Sequence, residues 1–521
     1  MDLKQTVLGL EIGSTRIKAV LMDRSHQPLA SGGYSWQSSL LGGVWTYALD
    51  EMRKGVQQCY AELAQNVQKT YGITLTTVSA IGISGMMHGY LPFDAAGEQL
   101  TEFRTWRNTM TAEAAEKLTE LFGFNIPQRW SVAHLYQAML RGEGHLPRLH
   151  RLTTAAGYIH GLLTGTHVVG VGEASGMFPI DSEKLDYDEA MVEKFDALVQ
   201  NAGYGWRIRE VLPKVLTAGQ PAGVLTEAGA RLLDPSGTLQ AGIPFCPPEG
   251  DAGTGMVATN AVRVHTGNVS AGTSIFAMLV ADHPLGMYRQ ISMVTTPAGR
   301  PVAMVHCSNG CADLDAWVGL FDEFSHMIGA PCEKGELYGK LFQIALGGER
   351  DCGGLLSFNY LAGEMVTALD AGRPVFARLP DAKLTLANFM RTQLSAALAT
   401  LRLGMDILTQ KEAVRIDKLC GHGGFFKTPG VGQRLLSAAV NAPVTVMQSA
   451  GEGGPYGMAL LAAYMLWKKD AEPLEDYLDG VFADAAATTV MADSEDVAGF
   501  NVFAERFEKA LAVERAAVET M

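Results

Sequence analysis

Two glycine–hydroxyl turns stand half a chain apart, and each lies between two apolar runs of strand-forming residues. The first covers residues 13–15 in LGLEIGSTRIKAVLMD, and the second covers residues 272–274 in TGNVSAGTSIFAMLV. Turns of this kind direct several backbone N–H groups and hydroxyls toward one side, which suits the binding of phosphate oxygens. One such turn is a weak signal. Two in corresponding halves predict a duplicated fold that binds one polyphosphate through both turns.

A lone acidic residue, Asp251, follows Gly250 in the segment PPEGDAGTGMVATN, just before a short helical pattern. One interpretation is a helix N-cap, because Asp is among the best residues for that role. The other is a general base that accepts a proton from a substrate hydroxyl. The two roles are compatible, since a cap geometry also fixes the direction of the carboxylate. We predict the catalytic role.

The composition limits the class of protein. A chain of 521 residues with 47% hydrophobic and 18% charged residues predicts at least two globular domains. The net charge of −14 argues against nucleic acid or an anionic membrane as the main partner, because both require a basic surface. Seven scattered cysteines are typical of reduced thiols, and no signal peptide or membrane span is evident. We therefore expect a cytoplasmic protein.

Strand and helix signals alternate along the first half, which favours an α/β domain with a mixed sheet. A new series of short strands begins near residue 262, so we place the domain boundary there and predict domains 1–261 and 262–521. Residues 212–248 are rich in Pro and Gly and read as a loop-heavy passage. Helices are predicted at 50–71, 112–121, 132–140, 314–328, 337–346, 384–408, 457–467 and 504–520.

Six pieces of the chain, in the same order, resemble the FGGY family of carbohydrate kinases. They are LEIGSTRIKAVL, GYIHGLLTGTHVVGVGEASGMFPID, GIPFCPPEGDAGTGMVA, SAGTS, LLSFNYLAGEMVTALDAGRPVFARL, and the glycine-rich pair CGHGGFF and EGGPYGMALLAA. The resemblance implies a two-domain actin/hexokinase-like (ribonuclease H-like) fold, with duplicated mixed sheets flanked by helices and a cleft between the domains. Domain 1–261 would bind the sugar and domain 262–521 would bind ATP.

The resemblance also assigns roles to residues on the sugar side. Asp251 matches the position of the family's catalytic aspartate. SGMMHG is similar to the Gln-Met-His-Gly run of xylulokinases, which places Met87 and His88 near the sugar, with Trp106 and Asn108 where those kinases carry a Trp-x-Asp pair. A Trp face and the polar atoms of His and Asn suit sugar binding. The alternative is ordinary, with His88 in the core and Trp106 in simple packing.

On the nucleotide side, the resemblance assigns the two turns and the glycine-rich pieces to ATP and Mg²⁺. The residues expected to bind the nucleotide are Gly13, Ser14, Thr15, Lys18, Gly272, Thr273, Ser274, Gly421, Gly423, Gly424 and Gly457. The glycines could instead only shape turns between strands and helices. Glu11 stands where the family has an aspartate that positions the metal, and its longer side chain would act through a bridging water.

The expected reaction is ATP-dependent phosphorylation of a small sugar, most readily a ketopentose such as xylulose. Glu11, Met86 and Asn108 depart from the family pattern, and this leaves the identity of the sugar open. Other ketoses or polyols (ribulose, rhamnulose or a heptulose) are alternatives, and so is a non-catalytic sugar or nucleotide sensor. By resemblance the chain could form a homodimer.

Overall fold

The computed structural model describes residues 2–447 and 453–521, and these residues form two compact units. Unit 1 contains the described residues of Met1–Val262, Met293–Val302 and Glu452–Asp484, and unit 2 contains those of Arg263–Ser292, Ala303–Gly451 and Ala485–Met521. The first run of unit 1 thus ends within one residue of the boundary that we predict from the sequence. Two later segments, however, return to unit 1.

The strands of the described residues follow in chain order. In the first half they are β1 (Thr6–Ile12), β2 (Arg16–Asp23), β3 (Pro28–Ser35), β4 (Ser39–Leu41), β5 (Val44–Thr46), β6 (Ala80–Gly85), β7 (Leu91–Phe93), β8 (Arg151–Thr153), β9 (Val168–Gly170), β10 (Ile180–Asp181), β11 (Asp186–Tyr187), β12 (Lys214–Leu216) and β13 (Glu249–Gly250). In the second half they are β14 (Thr266–Ala271), β15 (Ile275–Val280), β16 (Ile291–Thr295), β17 (Pro301–Cys307), β18 (Leu355–Phe358), β19 (Val375–Arg378), β20 (Lys418–His422), β21 (Val444–Met447) and β22 (Ala487–Val490).

The α-helices of the described residues flank these strands. They are α1 (Leu49–Tyr71), α2 (Ala112–Phe122), α3 (Ser131–Leu140), α4 (Ala155–Thr164), α5 (Val171–Ala174), α6 (Glu189–Asn201), α7 (Ile208–Val211), α8 (Glu227–Leu233), α9 (Asp251–Ala258), α10 (Ala312–Met327), α11 (Lys334–Ala345), α12 (Leu386–Asp406), α13 (Val431–Val440), α14 (Gly453–Trp467), α15 (Leu474–Val481), α16 (Ser494–Lys509) and α17 (Leu511–Thr520). The predicted helices 50–71, 112–121 and 132–140 correspond to α1, α2 and α3.

The main sheet of unit 1 has five strands in the order β13-β6-β1-β2-β3. Strand β1 pairs antiparallel with β2 and parallel with β6. Every residue of β1 is buried, as expected for a central strand covered on both faces. The long helix α1 covers one face and buries Met52, Val56 and Leu63 in the core.

The main sheet of unit 2 repeats this plan. Its order is β16-β17-β15-β14-β20-β21-β22, in which β14 pairs antiparallel with β15 and parallel with β20. The series β3-β2-β1-β6-β13 in unit 1 therefore corresponds to β17-β15-β14-β20-β21 in unit 2. This repetition confirms the predicted duplicated mixed sheets flanked by helices.

Helix α14 belongs to unit 1, although the sequence prediction placed residues 453–484 in the second domain. It lies directly on β1, because Gly9 has no side chain at the contact. A Cβ on Gly9 would be 2.0 Å from the Pro455 carbonyl oxygen and 2.6 Å from Ala459 N. Chain order alone does not reveal a helix that returns to the first sheet.

The C-terminal helix differs from the prediction in its extent. The pattern over 504–520 predicts one helix, whereas the structure has α16 and α17, which meet at Ala510. Helix α16 begins ten residues earlier than predicted because Asp493 caps it, accepting hydrogen bonds from the N–H groups of Glu495 and Asp496.

We predict that Gly9→Ala lowers the apparent melting temperature by about 2–5 °C. The added methyl group cannot fit between β1 and α14, and overpacking of this kind costs about 1–3 kcal/mol. Thermal unfolding followed by circular dichroism measures the effect. Gly144→Ala is the matched control, because nothing lies within 4 Å of its Cβ position. Equal melting temperatures for the two variants would contradict the packing argument.

Candidate active site

The first turn, residues 13–15, joins β1 to β2. The N–H of Gly13 donates to the Arg16 carbonyl oxygen at 3.1 Å, which closes the turn. Thr15 is exposed, and within the described part of the chain no protein acceptor is bonded to the N–H of Ser14 or Thr15. Lys18, on β2, extends its amine to 3.8 Å from a carboxylate oxygen of Glu11.

The second turn, residues 272–274, joins β14 to β15 at the equivalent place in unit 2. Gly272 N–H donates to Ser274 O at 3.0 Å, and the turn hydroxyl of Thr273 is exposed. Two backbone N–H groups hold the turn from the start of α10, where Gly310 N donates to Thr273 O at 2.9 Å and Cys311 N to Gly272 O at 2.8 Å. Gly310 has to be glycine, since its Cβ would lie 2.7 Å from Gly272 O.

Asp251 is the first residue of α9 and directly follows β13. Strand β13 pairs in parallel with the end of β6, so Glu249 lies beside Ser84 and Gly250 beside Gly85. A carboxylate oxygen of Asp251 accepts a hydrogen bond from Met87 N at 3.3 Å. The predicted base and the predicted sugar segment are therefore in contact within unit 1.

Two further carboxyl groups lie beside Asp251. Glu249 accepts hydrogen bonds from the N–H groups of Gly172 and Glu173, at 3.3 and 2.8 Å. Burial raises the pKa of Glu249 to about 8 and the pKa of Glu173 well above its ordinary value. Burial also raises the pKa of Asp251, but only to about 6, because the Met87 N–H and other backbone donors stabilise its charged form. The pKa of Asp251 is therefore lower than that of Glu249.

Glu11 lies on β1 and is almost fully buried. Burial raises its pKa to about 7, Lys18 opposes this rise, and the charge of Asp251 adds to it. Two carboxyl groups that disfavour each other's ionisation provide a place where a divalent cation would be stabilising. Among the described residues, no group of three or more His, Cys, Asp or Glu is arranged to hold a metal. Glu11 and Asp251 are the carboxyl groups that would hold such a cation.

Met87 and His88 lie against the segment ASGM, residues 174–177, which belongs to one of the six pieces that resemble the family. The His88 Nδ1–H donates to the Gly176 carbonyl oxygen at 3.1 Å. A Cβ on Gly176 would approach His88 Nδ1 to 2.6 Å. His88 has a left-handed backbone (φ 70°) and stacks on Trp130, with ring centroids 6.4 Å apart. Such strained conformations concentrate at functional sites.

Trp106 and Asn108 differ in their exposure to solvent and in their hydrogen bonds. Trp106 is 41% exposed, as a platform for a ligand would be. Asn108 is buried, and its side chain bonds to the backbone: Oδ1 accepts from Trp45 N at 2.9 Å, and Nδ2 donates to Trp45 O at 2.8 Å and to Thr105 O at 3.0 Å. Asn108 thus holds the loop that presents Trp106.

Unit 2 contains a cavity of about 460 Å³ beside the second turn. Its lining residues are Gly272, Thr273, Cys311, Leu314, Asp315, Gly335, Tyr338, Gly339, Phe342, Gly424, Phe425, Lys427, Thr428 and Pro429. Phe342 and Phe425 form an edge-to-face pair with centroids 6.2 Å apart, and Tyr338 donates to Asp315 at 2.5 Å. The cavity joins turn donors to an aromatic wall, a combination that suits a nucleotide.

The predicted nucleotide glycines divide into two groups. Gly424 lines the cavity, and nothing lies within 4 Å of its Cβ position. Gly421 and Gly423 instead permit packing, the first against the Phe426 ring and the second 2.4 Å from the Ala271 carbonyl oxygen. Gly457 lies in unit 1, where a Cβ would be 2.0 Å from Thr254 O. Its lack of a side chain serves the contact between α14 and α9.

Several lining residues were not predicted from the sequence. Lys427, Thr428 and Pro429 directly follow the predicted glycines, so the run FFKTPG was a usable signal. Tyr338 and Phe342 are four residues apart on α11, and there they look like an ordinary apolar face. No pattern in the sequence distinguishes an apolar helix face that packs in the core from one that lines a cavity.

Comparison with known proteins assigns this arrangement to the carbohydrate kinases. Residues 6–258 match the model of the FGGY family of carbohydrate kinases, N-terminal domain, and residues 267–466 match that of its C-terminal domain. The chain belongs to the FGGY family of carbohydrate kinases, and it is a sugar kinase. The C-terminal model includes residues 453–466, which pack in unit 1.

Individual relatives are distant, but several of them match about nine tenths of the chain or more. A xylulose kinase from Haemophilus influenzae is 21% identical over 90% of this chain and 92% of its own length. A gluconate kinase from Lactobacillus acidophilus has a TM-score of 0.80 at 17% identity, covering 98% of both chains. A xyloylose kinase from Brucella ovis has a TM-score of 0.78 at 18% identity, covering 98% of this chain and 100% of its own. These structures establish the actin/hexokinase-like fold.

Two further features concern the cysteines and the apolar character of the helices. All seven cysteines lie in the described residues, and none of them forms a disulfide. Among the helices of the described residues, none has the length and apolar character needed to span a bilayer.

We predict that Gly310→Ala weakens ATP binding about 10-fold or more, because the new methyl group would displace Gly272 and with it the second turn. Titration calorimetry measures the affinity. Gly319→Ala, in the helix α10 that follows Gly310, is the matched control, because nothing lies within 4 Å of its Cβ position. Wild-type ATP affinity in Gly310→Ala would mean that the turn does not hold the nucleotide.

Proposed function

We propose that the protein transfers the γ-phosphoryl group of ATP to a hydroxyl of a ketopentose, most readily xylulose, with Asp251 as general base. The proposal rests above all on one observation: the carboxylate of Asp251, the first residue of α9, accepts a hydrogen bond from the backbone N–H of Met87, in the segment that resembles the sugar site of xylulokinases. A base has to be unprotonated to accept a proton, and a pKa slightly below the working pH is close to the best value.

The acceptor sugar would bind in unit 1, against residues that meet around Asp251. The His88 ring would lie beside one sugar hydroxyl, and the exposed face of Trp106 would lie against the C–H groups of the ring or chain. Met87 forms the wall beside the base. We assign Asn108 to the support of Trp106 rather than to contact with the sugar.

The nucleotide would bind through the two turns and the cavity of unit 2. Adenosine would occupy the aromatic part of the cavity near Phe342 and Phe425, and the N–H groups and hydroxyls of the turns would bind phosphate oxygens. Lys18, which is half-exposed beside the first turn, would add a positive charge. Gly424 would allow backbone to approach the ligand closely.

In the reaction, the sugar hydroxyl loses its proton to the Asp251 carboxylate as its oxygen forms a bond to the γ-phosphorus. The bond from that phosphorus to the bridging oxygen breaks, and ADP carries away the electron pair. Positioning and charge stabilisation account for most of what a protein supplies to this transfer. A Mg²⁺ ion held near Glu11 and the phosphates would supply positive charge when bound.

Xylulose is favoured over other acceptors by two features. The run SGMMHG places Met87 and His88 as the resemblance to xylulokinases implies, and relatives along the full chain are named xylulose kinases. Among the folds that match, one belongs to a protein named a gluconate kinase, so a sugar acid belongs in any substrate test.

We predict that Asp251→Asn lowers kcat about 10²- to 10⁴-fold, the usual contribution of a positioned base, with ATP affinity near normal. In the wild type, kcat/KM should fall as the pH drops below about 6, because the carboxyl group becomes protonated. Unchanged sugar-dependent ADP release in the variant would remove Asp251 from this role.

The same variant should raise the melting temperature at pH 8. Because the folded-state pKa of Asp251 is raised, its ionised form destabilises the folded protein above about pH 6, and this penalty is absent below the unfolded pKa of 3.8. The gain in stability should therefore disappear at pH 3.5. A variant that is inactive yet more stable separates loss of the base from misfolding.

We predict that a coupled ADP-release assay with D- and L-ketopentoses, rhamnulose, a heptulose, glycerol and gluconate gives the highest kcat/KM with xylulose, by at least 10-fold. A higher kcat/KM with another acceptor would support kinase activity but contradict the proposal that the acceptor is a ketopentose. ATP consumption with none of them, from a protein that binds ATP, would favour a sensor.

A further inference from the structure

Two stacked aromatic side chains hold the first turn from behind. Residues 36–47, which we call the aromatic strap, run from the end of β3 to the start of α1 and include the hairpin of β4 and β5. Trp36 and Tyr47 stand at the two ends of the strap, and their rings stack with centroids 4.3 Å apart and planes 30° apart. Both are buried.

These two residues bind three successive carbonyl oxygens of the turn. The Trp36 Nε1–H donates to Gly13 O at 2.8 Å, and the Tyr47 hydroxyl donates to Ser14 O at 2.5 Å. The backbone N–H of Trp36 donates to Thr15 O at 3.1 Å. The carbonyl groups of residues 13–15 are thus all held by hydrogen bonds, which oppose their rotation toward the ligand side.

The geometry of the peptide bond determines how these hydrogen bonds orient the N–H groups of the first turn. In a planar trans peptide, the C=O of one residue and the N–H of the next point in opposite directions. Holding the carbonyls of residues 13, 14 and 15 therefore directs the N–H groups of Ser14, Thr15 and Arg16 away from the strap. If a peptide plane turned over, it would offer a carbonyl oxygen to a phosphate, and the two would repel each other.

The second turn has an equivalent support made from different groups. There, the backbone N–H groups of Gly310 and Cys311 bind the carbonyls of Thr273 and Gly272, as described above. Both copies of the duplicated sheet therefore hold their turn by its carbonyl oxygens. In the first copy, an indole and a phenol donor are added to one backbone donor, the N–H of Trp36.

We propose that Trp36 and Tyr47 are positioning residues for phosphoryl transfer, which hold the N–H groups of the first turn in the orientation that binds the ATP phosphates. This inference rests on the proposed function of the turn. It assigns to the aromatic strap a role in phosphate binding that is separate from its role in packing.

The test compares ATP with adenosine, which lacks the phosphates. Trp36→Phe and Tyr47→Phe keep an aromatic ring and each remove one donor to the turn. By titration calorimetry, each variant should bind ATP about 10-fold more weakly and adenosine within 2-fold of the wild type. The double variant should lose about as much as one single variant, because releasing either peptide already frees the turn. Under saturating ATP and acceptor, kcat should fall about 10-fold with the KM of the acceptor within 2-fold.

Tyr34→Phe is the matched control. Its hydroxyl, on the neighbouring β3, bonds to Glu51 and not to the turn, so its ATP affinity should equal that of the wild type. Wild-type ATP affinity in both strap variants would overturn the inference, as would an equal weakening of ATP and adenosine, which indicates a packing role alone. The wild-type titration and ADP-release assay test the proposed function separately, because the inference concerns only the ratio of variant to wild type.

Discussion

Close backbone packing of α14 on the sheet of unit 1 is the constraint from which the rest of the site follows. Gly9 on β1 and Gly82 on β6 have no side chain where the helix crosses these strands, so the helix can lie directly on them. A Cβ on Gly82 would lie 2.6 Å from Met458 Cε. On its other side, α14 brings Gly457 against the Thr254 carbonyl oxygen of α9. Helix α9 is thereby held between α14 and the end of β6, and Asp251 is its first residue.

This packing also sets the electrostatics of the base. Because α9 begins against the ends of β6 and β13, Asp251, Glu249 and Glu173 share one poorly solvated region. Burial raises the pKa of all three carboxyl groups, and the charges of Glu249 and Asp251 raise that of Glu173 further. Backbone N–H groups oppose the rise for two of them, because Met87 donates to Asp251, and Gly172 and Glu173 donate to Glu249. The result is a pKa of about 6 for Asp251 and about 8 for Glu249.

The sequence revealed those parts of the molecule that follow from local pattern. The turns at 13–15 and 272–274, the helices α1 to α3 and the contact of Met87 with Asp251 are readable because apolar period, turn residues and motif order lie along the chain. The role of Gly457, in contrast, does not follow from the local sequence. A glycine that admits a ligand and a glycine that admits a neighbouring helix have the same local sequence, and only the return of α14 to unit 1 distinguishes them. For the same reason, Asn108 reads as a sugar ligand, whereas its amide is used by Trp45 and Thr105.

The two copies of the sheet differ most in how they hold their turns, and the difference follows from what comes next in each chain. After β15, the second copy continues through β16 and β17 to the Gly310-Cys311 corner, which is close enough for backbone N–H groups to reach the turn. After β3, the first copy has no such corner and continues into the strap, whose backbone reaches only Thr15. The longer Trp36 and Tyr47 side chains cover the remaining distance to Gly13 and Ser14. Trp45, on the same strap, holds Asn108, so one short segment supports both the phosphate turn and the loop that carries Trp106.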